Sequence, residues 1–139
     1  MRIRPVAALS GALLALGIAL APAASAGNVD YGLSMTRLGN GELWTKIRTG
    51  NIEQPDGSLY WELFDTYKKT GGGTISAYMG FNYNGHSYNN SYFTQASGTE
   101  HQEGFYQLGF NNCNQIVGWM AVDGQGTFYN APVSICDGS

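Results

Sequence analysis

The sequence predicts an all-β fold, with about eight antiparallel strands in a small sandwich or barrel and one disulfide, after a cleaved signal peptide. Turn-forming Gly, Asn, Asp and Pro residues recur at short, fairly even intervals, which is typical of sandwiches and barrels. The chain is rich in aromatic residues and Gly and is only 12% charged, a composition that favours strands and turns. No segment after the signal has a convincing helical period.

The first 26 residues have the three-part pattern of a secretory signal peptide. Arg2 and Arg4 precede an apolar run over 6–20, and small residues over 21–26 follow it. The apolar run is shorter than the roughly 20 residues that a membrane-spanning helix needs. We therefore predict cleavage before Gly27 and a secreted, extracellular protein without membrane insertion, and the Ala-rich signal indicates a bacterial source.

The remaining chain, residues 27–139, is predicted to be a single domain. Its 113 residues suit one hydrophobic core. Because the signal contains two of the seven basic residues and none of the ten acidic ones, the mature chain has a net charge of −5. A domain that binds nucleic acid needs clustered Lys and Arg to displace counterions from phosphate, so nucleic acid is not an expected partner.

The turn signals divide the domain into eight expected strands. Residues 58–67 carry apolar side chains on both faces and are expected to lie centrally in the fold. The predicted strands are 30–38, 43–49, 58–67, 74–83, 86–95, 104–110, 115–122 and 127–135.

Asn84-Gly85 predicts the best-defined hairpin, because a two-residue type I′ turn requires positive φ angles that Asn and Gly tolerate. Pairing outward from this turn places Tyr83 opposite His86 and continues to Ile75 opposite Thr94, on the expected core face. The other face is amide-rich and suits recognition of a sugar or a protein, although it also fits the solvent side of an ordinary sheet. Its candidate binding residues are Tyr78, Asn82, Ser87, Asn89 and Ser91.

A second candidate surface follows from a turn at Asn40-Gly41, which would place Arg37 opposite Trp44. Lys46 and Arg48 would share this surface, so it holds three of the five basic residues of the mature chain. A cation–π pair between Arg37 and Trp44 is the structural interpretation. An open patch would instead bind an acidic ligand, such as an anionic polymer or an acidic loop of a partner protein.

The two cysteines are expected to form a Cys113–Cys136 disulfide, because an exported chain meets an oxidising compartment. A two-residue turn at Gly124-Gln125 would place them opposite each other in the last hairpin. Pro132 would then occupy a hydrogen-bonded position without an N–H to donate, so we expect a bulge, an edge or a register break near 130–132.

No motif organises a catalytic or metal site. The sequence has two His residues and no nucleophile elbow, and the acids and His over 100–103 lack metal-ligand spacing and suggest a solvated turn. We predict no metal and no cofactor. Glu62 is the one acid in an aromatic setting that could serve a glycosidase, with Asp65 as the second carboxylate.

The function expected from the sequence is a secreted, non-catalytic binding protein for carbohydrate, cell wall or an extracellular protein, including the case of an enzyme inhibitor. The alternative is a small secreted hydrolase that acts on glycans through Glu62 and a second carboxylate. The hydrolase alternative predicts that Glu62→Gln abolishes activity on a glycan and preserves the fold. The binding protein has no such activity to lose. The sequence does not predict the oligomeric state.

Overall fold

A computed structural model describes residues 30–138 as an all-β structure with nine strands in that part of the chain. The predicted signal peptide lies outside the described residues. The strands are β1 Asp30–Leu38, β2 Gly41–Glu53, β3 Leu59–Lys69, β4 Ile75–Tyr83, β5 His86–Asn89, β6 Phe93–Gln95, β7 Thr99–Leu108, β8 Ile116–Val122 and β9 Gly126–Tyr129.

The strands form two antiparallel sheets. Sheet 1 has the order β1-β2-β3-β7, so the predicted central position of β3 is confirmed. Sheet 2 has the order β5-β4-β8-β9, and β6 pairs with β4 beyond the end of β5. The all-β fold and the antiparallel pairing are confirmed, and there are nine strands because 86–95 divides in two. The stretch 100–103, expected to be a turn, belongs to strand β7.

The hydrophobic core contains side chains from both sheets. Ile47 and Leu63 of sheet 1 pack in one cluster with Phe81 and Ile116 of sheet 2, and each of the four is at most 1% exposed. Complete burial of one such side chain stabilises the fold by about 1.5–3 kcal/mol. Buried residues alternate with partly buried ones over 41–47 of β2 and recur at 77, 79, 81 and 83 of β4, which defines an inner and an outer face for each sheet.

The β4–β5 hairpin has the predicted turn and register. Asn84 and Gly85 have φ angles of 52° and 78°, as a type I′ turn requires. The predicted pairing holds from Tyr83–His86 to Gly80–Asn89. Beyond it, Ala77 pairs with Phe93, one residue later than the expected partner Tyr92.

This one-residue shift, at 90–92, exchanges the faces of two aromatic side chains. Phe93 was predicted to face outward, but it packs against the core cluster that contains Ala77. Tyr92 was predicted to face the core, but it is 60% exposed. Asn90 N still donates to the Met79 carbonyl at 3.1 Å, but residues 90–92 lie outside the strands. The turn at 84–85 therefore does not control the pairing beyond them.

The predicted register of β1 with β2 is wrong by two residues. The turn consists of Gly39 and Asn40, and Arg37 therefore pairs with Glu42 rather than with Trp44. Gly41 is the first residue of β2, where an added Cβ would lie 2.8 Å from the Tyr67 ring. Position 41 needs a glycine because β3 approaches so closely that a side chain would overlap Tyr67, and Gly41 is not part of the turn.

The Cys113–Cys136 disulfide is confirmed, with 5.5 Å between the two Cα atoms. The hairpin preceding it differs from the prediction, because β8 and β9 are joined by three residues, 123–125, and Val122 pairs with Gly126. The expected register break occurs at 130–132: β9 ends at Tyr129, and a separate bridge joins Ile116 to Val133. The chain thereby avoids a strand position for Pro132.

Among residues 30–138, no helix is long and apolar enough to cross a membrane.

Candidate functional site

The outer face of sheet 2 is organised around Trp119, whose indole ring packs over Gly80 of the neighbouring strand. Trp119 and Gly80 are direct partners in the β4–β8 pairing. A Cβ atom at residue 80 would lie 2.5 Å from Cζ2 of the indole and would also meet the Tyr88 carbonyl oxygen. Glycine at position 80 therefore allows the ring to pack on the backbone, and Trp119 is only 7% exposed although it lies on an outer face.

Tyr78 and Asn82 of β4, which are both predicted binding residues, contact this indole ring and fix its position. Tyr78 makes an edge-to-face contact with it, with 5.6 Å between ring centroids. Asn82 Oδ1 accepts hydrogen bonds from Trp119 Nε1 at 2.9 Å and from the Ser87 hydroxyl at 2.7 Å. The hydrogen bonds and the aromatic contact fix the orientation of Asn82 and the ring before any ligand arrives.

Two exposed tyrosines extend the aromatic surface on either side of the indole. Tyr92 lies 4.7 Å from Tyr78 between ring centroids and is 60% exposed. Tyr129 is the direct partner of Trp119 in the β8–β9 pairing and is 56% exposed. We refer to Tyr78, Tyr92, Trp119 and Tyr129 as the aromatic strip.

The hydroxyl group of Tyr92 stays protonated near neutral pH. Partial desolvation and then the negative charge of the nearby Asp123 raise the pKa of Tyr92 above its usual range. Tyr92 therefore presents an uncharged phenol with an acidic side chain beside it.

The amides and hydroxyls predicted for this face border the strip. Asn89 is exposed beside Gly80, and its Nδ2 donates a hydrogen bond to the Asn90 carbonyl at 2.9 Å. Ser91 is exposed in the segment between β5 and β6. A shallow polar depression there is lined by Asn89, Asn90, Ser91, Tyr92 and Glu103.

The structure thus brings Tyr78, Asn82, Ser87 and Asn89 together on one face, with Ser91 at its border. Sequence reasoning missed the other three members of the aromatic strip. Trp119 and Tyr129 reach this face through the pairing of β8 with β4, which joins distant parts of the chain and leaves no local signal. Tyr92 was assigned to the wrong face by the unbroken hairpin register.

The second predicted surface is only partly assembled. Trp44 and Lys46 line a groove on the outer face of sheet 1, beside Phe64. Arg37 lies apart, with its guanidinium 3.5 Å from a Glu42 carboxylate oxygen. The predicted contact of Arg37 with Trp44 is replaced by this ion pair, because the turn lies one residue earlier than expected.

Arg48, the fourth residue predicted for this surface, is occupied by other contacts. Its Nε donates to Glu62 Oε1 at 2.9 Å, and its guanidinium lies over the Phe64 ring at 4.7 Å from the centroid. Arg37 and Arg48 are therefore both paired with acids, which weakens the case for an acidic ligand.

The two carboxylates considered for glycoside hydrolysis do not face each other. Glu62 lies on the outer face of β3 beside Arg48, whereas Asp65 is fully buried on the inner face. A glycosidase needs both carboxylates on the two sides of one scissile bond. The described residues also contain no cluster of His, Cys, Asp and Glu able to hold a metal ion.

Comparisons of the chain with protein-family models, curated proteins and solved structures find no match.

Proposed function

We propose that this protein is a secreted, non-catalytic binding protein and that it binds a neutral carbohydrate on the outer face of sheet 2. The observation that carries the proposal is the aromatic strip, in which two exposed tyrosines flank a fixed indole and its bound amide. In this proposal the two sheets form a sandwich that acts as a rigid support for the strip.

The chemistry of the strip matches that of a sugar ring. Aromatic planes offer apolar contact area for the C–H face of a pyranose, while amide and hydroxyl groups match its hydroxyls. The exposed side chains of Asn89 and Ser87 supply such groups beside the strip. Because the acidic side chains of Asp123 and Glu103 lie beside Tyr92, an uncharged glycan fits this face better than an anionic one.

The face is also rigid before it binds. The Asn82 carboxamide is held by Trp119 and Ser87, so little conformational entropy is lost when it meets a ligand. Secretion is part of the proposal and is supported by the disulfide, which is stable in an oxidising compartment.

The proposal is tested by retention of the purified protein on insoluble neutral polysaccharides, with soluble sugar release measured in parallel. We expect retention without release. The double variant Tyr92→Ala with Tyr129→Ala should lose at least about tenfold in affinity, because each exposed ring contributes roughly 1 kcal/mol of contact. Tyr106→Ala is the matched control, since Tyr106 is 59% exposed but lies on sheet 1.

Equal retention of the double variant and the wild type would overturn the assignment of the site, and no retention on any glycan would overturn the ligand class. Sugar release that Glu62→Gln abolishes would establish the hydrolase alternative. Specific capture of one protein from concentrated culture medium, without glycan retention, would show instead that the ligand is a protein.

A further inference from the structure

Three polar side chains meet in the interior between the two sheets. Thr45 of β2 and Asp65 of β3 are both 0% exposed, and Asn130, which follows β9, is 3% exposed. The Thr45 hydroxyl donates to Asp65 Oδ1 at 2.7 Å and accepts from Asn130 Nδ2 at 2.8 Å. One buried hydroxyl therefore connects a carboxyl group to a side-chain amide.

The sheet that faces this cluster leaves space for it. Gly118 of β8 lies directly opposite, where an added Cβ would be 2.5 Å from Asp65 Oδ1 and would also overlap the Thr45 hydroxyl. The backbone of β8 can approach because residue 118 has no side chain, and Asn130 N donates to the Gly118 carbonyl at 2.9 Å. The cluster is thus enclosed on both sides.

The cluster is costly as a purely non-covalent arrangement. Asp65 Oδ2 and Asn130 Oδ1 are buried without a hydrogen-bond partner, and each such atom costs roughly 1–3 kcal/mol. Burial raises the pKa of the Asp65 carboxyl well above its usual range, despite the opposing hydrogen bond from Thr45. The carboxyl group is thereby favoured in its neutral form, which can both donate and accept a proton.

We propose that Thr45 and Asn130 become joined by an intramolecular ester bond, with Asp65 transferring the protons. The nucleophile is Thr45 Oγ1, and the carbon it attacks is Cγ of Asn130, which is bonded directly to the Nδ2 atom that already contacts this oxygen. The arrangement supplies a nucleophile, a proton-transfer group and an amide in one enclosed place.

The reaction balances within the cluster. The Thr45 Oγ1–Cγ bond forms while the Asn130 Cγ–Nδ2 bond breaks. The hydroxyl proton passes to Asp65 Oδ1, along the existing hydrogen bond. Oδ2 of the neutral carboxyl has no hydrogen-bond partner at the start, so the carboxyl group turns about its Cβ–Cγ bond toward the amide. Its proton then passes to the leaving nitrogen, which departs as ammonia. No oxidant or cofactor is consumed, and Asp65 ends as a neutral carboxyl group, as it began.

The product links the two sheets covalently. Residues 45 and 130 are 85 positions apart in the sequence, and the linkage would tie β2 of sheet 1 to the segment that leaves sheet 2. Burial excludes the water that would hydrolyse an ester. Together with Cys113–Cys136, the ester would give the extracellular domain a second crosslink, one that reducing agents do not break.

Peptide mapping of the purified, reduced protein tests this proposal. Trypsin separates the two residues, because Arg37 and Lys46 bound the Thr45 peptide and no Lys or Arg follows Lys69. We expect one species that contains both peptides and whose mass is their sum less one ammonia. Brief treatment with hydroxylamine near neutral pH cleaves esters and spares the Asn40-Gly41 and Asn84-Gly85 peptide bonds, which need prolonged alkaline treatment. It should separate the species into the intact Thr45 peptide and an Asn130 peptide that carries a hydroxamate.

Two unlinked peptides with unchanged masses would overturn the proposal. Loss of ammonia from the Asn130 peptide alone would also overturn it, since that result indicates a cyclic imide at Asn130. Thr45→Val keeps the shape of the side chain but removes the nucleophile, and it should give unlinked peptides. The measurement on the wild-type chain decides the question even if a variant fails to fold.

Discussion

The substitution Gly80→Ala tests whether the packing of Trp119 on the backbone of β4 supports both the fold and the aromatic strip. The new Cβ would lie 2.5 Å from the indole and 2.9 Å from the Asn89 Cβ, and it would meet the Tyr88 carbonyl. The ring and the β5 backbone must both move, and overpacking of this kind costs about 1–3 kcal/mol. For a domain of this size, the melting temperature should fall by roughly 4–12 °C.

Thermal unfolding followed by circular dichroism measures this change, and glycan retention of the folded variant reports on the strip. The control is Gly73→Ala, because Gly73 has no atom within 4 Å of an added Cβ and no positive φ. The control should be neutral or stabilising by up to about 1 kcal/mol. A Gly80→Ala protein that melts within about 1 °C of the wild type would refute the argument that Trp119 requires this glycine.

Three further results are expected. Because burial raises the folded-state pKa of Asp65 above its unfolded value, its stabilising contribution is complete below about pH 4 and is lost as the pH rises toward the folded pKa. The melting temperature of the wild type should thus fall more steeply above pH 4 than that of Asp65→Asn; equal slopes would contradict this. Replacing both Cys113 and Cys136 by Ser opens a crosslink between residues 23 apart, and urea unfolding should show a loss of about 3 kcal/mol; an unchanged midpoint would show that the crosslink adds no stability. Arg37→Ala should change the free energy of unfolding in urea by less than about 0.5 kcal/mol, because the Arg37 side chain is 78% exposed; a larger loss would show that its pair with Glu42 is structural.

Local chemistry predicted the β4–β5 hairpin correctly, and the limit of that prediction has a physical cause. The φ preferences of Asn84 and Gly85 determine the turn, and the turn determines the nearest pairs. Hydrogen bonding stops before Tyr92, so the turn has no influence on the pairing that follows. For this reason the sequence prediction assigned Tyr92 to the wrong face and omitted it from the aromatic strip.

Gly41 and Asp65 show why residue type alone misleads. Gly41 resembles a turn residue in the sequence, but it is required by the approach of Tyr67 from the adjacent strand. Asp65 was considered as a second catalytic acid, but the alternation of β3 places it inside, opposite to Glu62. The Gly41 error concerns a contact between two strands, which a single sequence does not reveal. The Asp65 error is local, because residues 62 and 65 fall on opposite faces of any regular strand.

The edges of sheet 2 bear on the behaviour of the protein at high concentration. β5, β6 and β9 have only four, three and four residues. One edge is interrupted at 90–92, and the other ends just before Pro132. Such short edges offer too few aligned N–H and C=O groups to pair stably with a strand of another molecule. The edges of sheet 2, beside the exposed tyrosines, therefore do not favour the joining of neighbouring copies into fibrils when many copies crowd along a polymer.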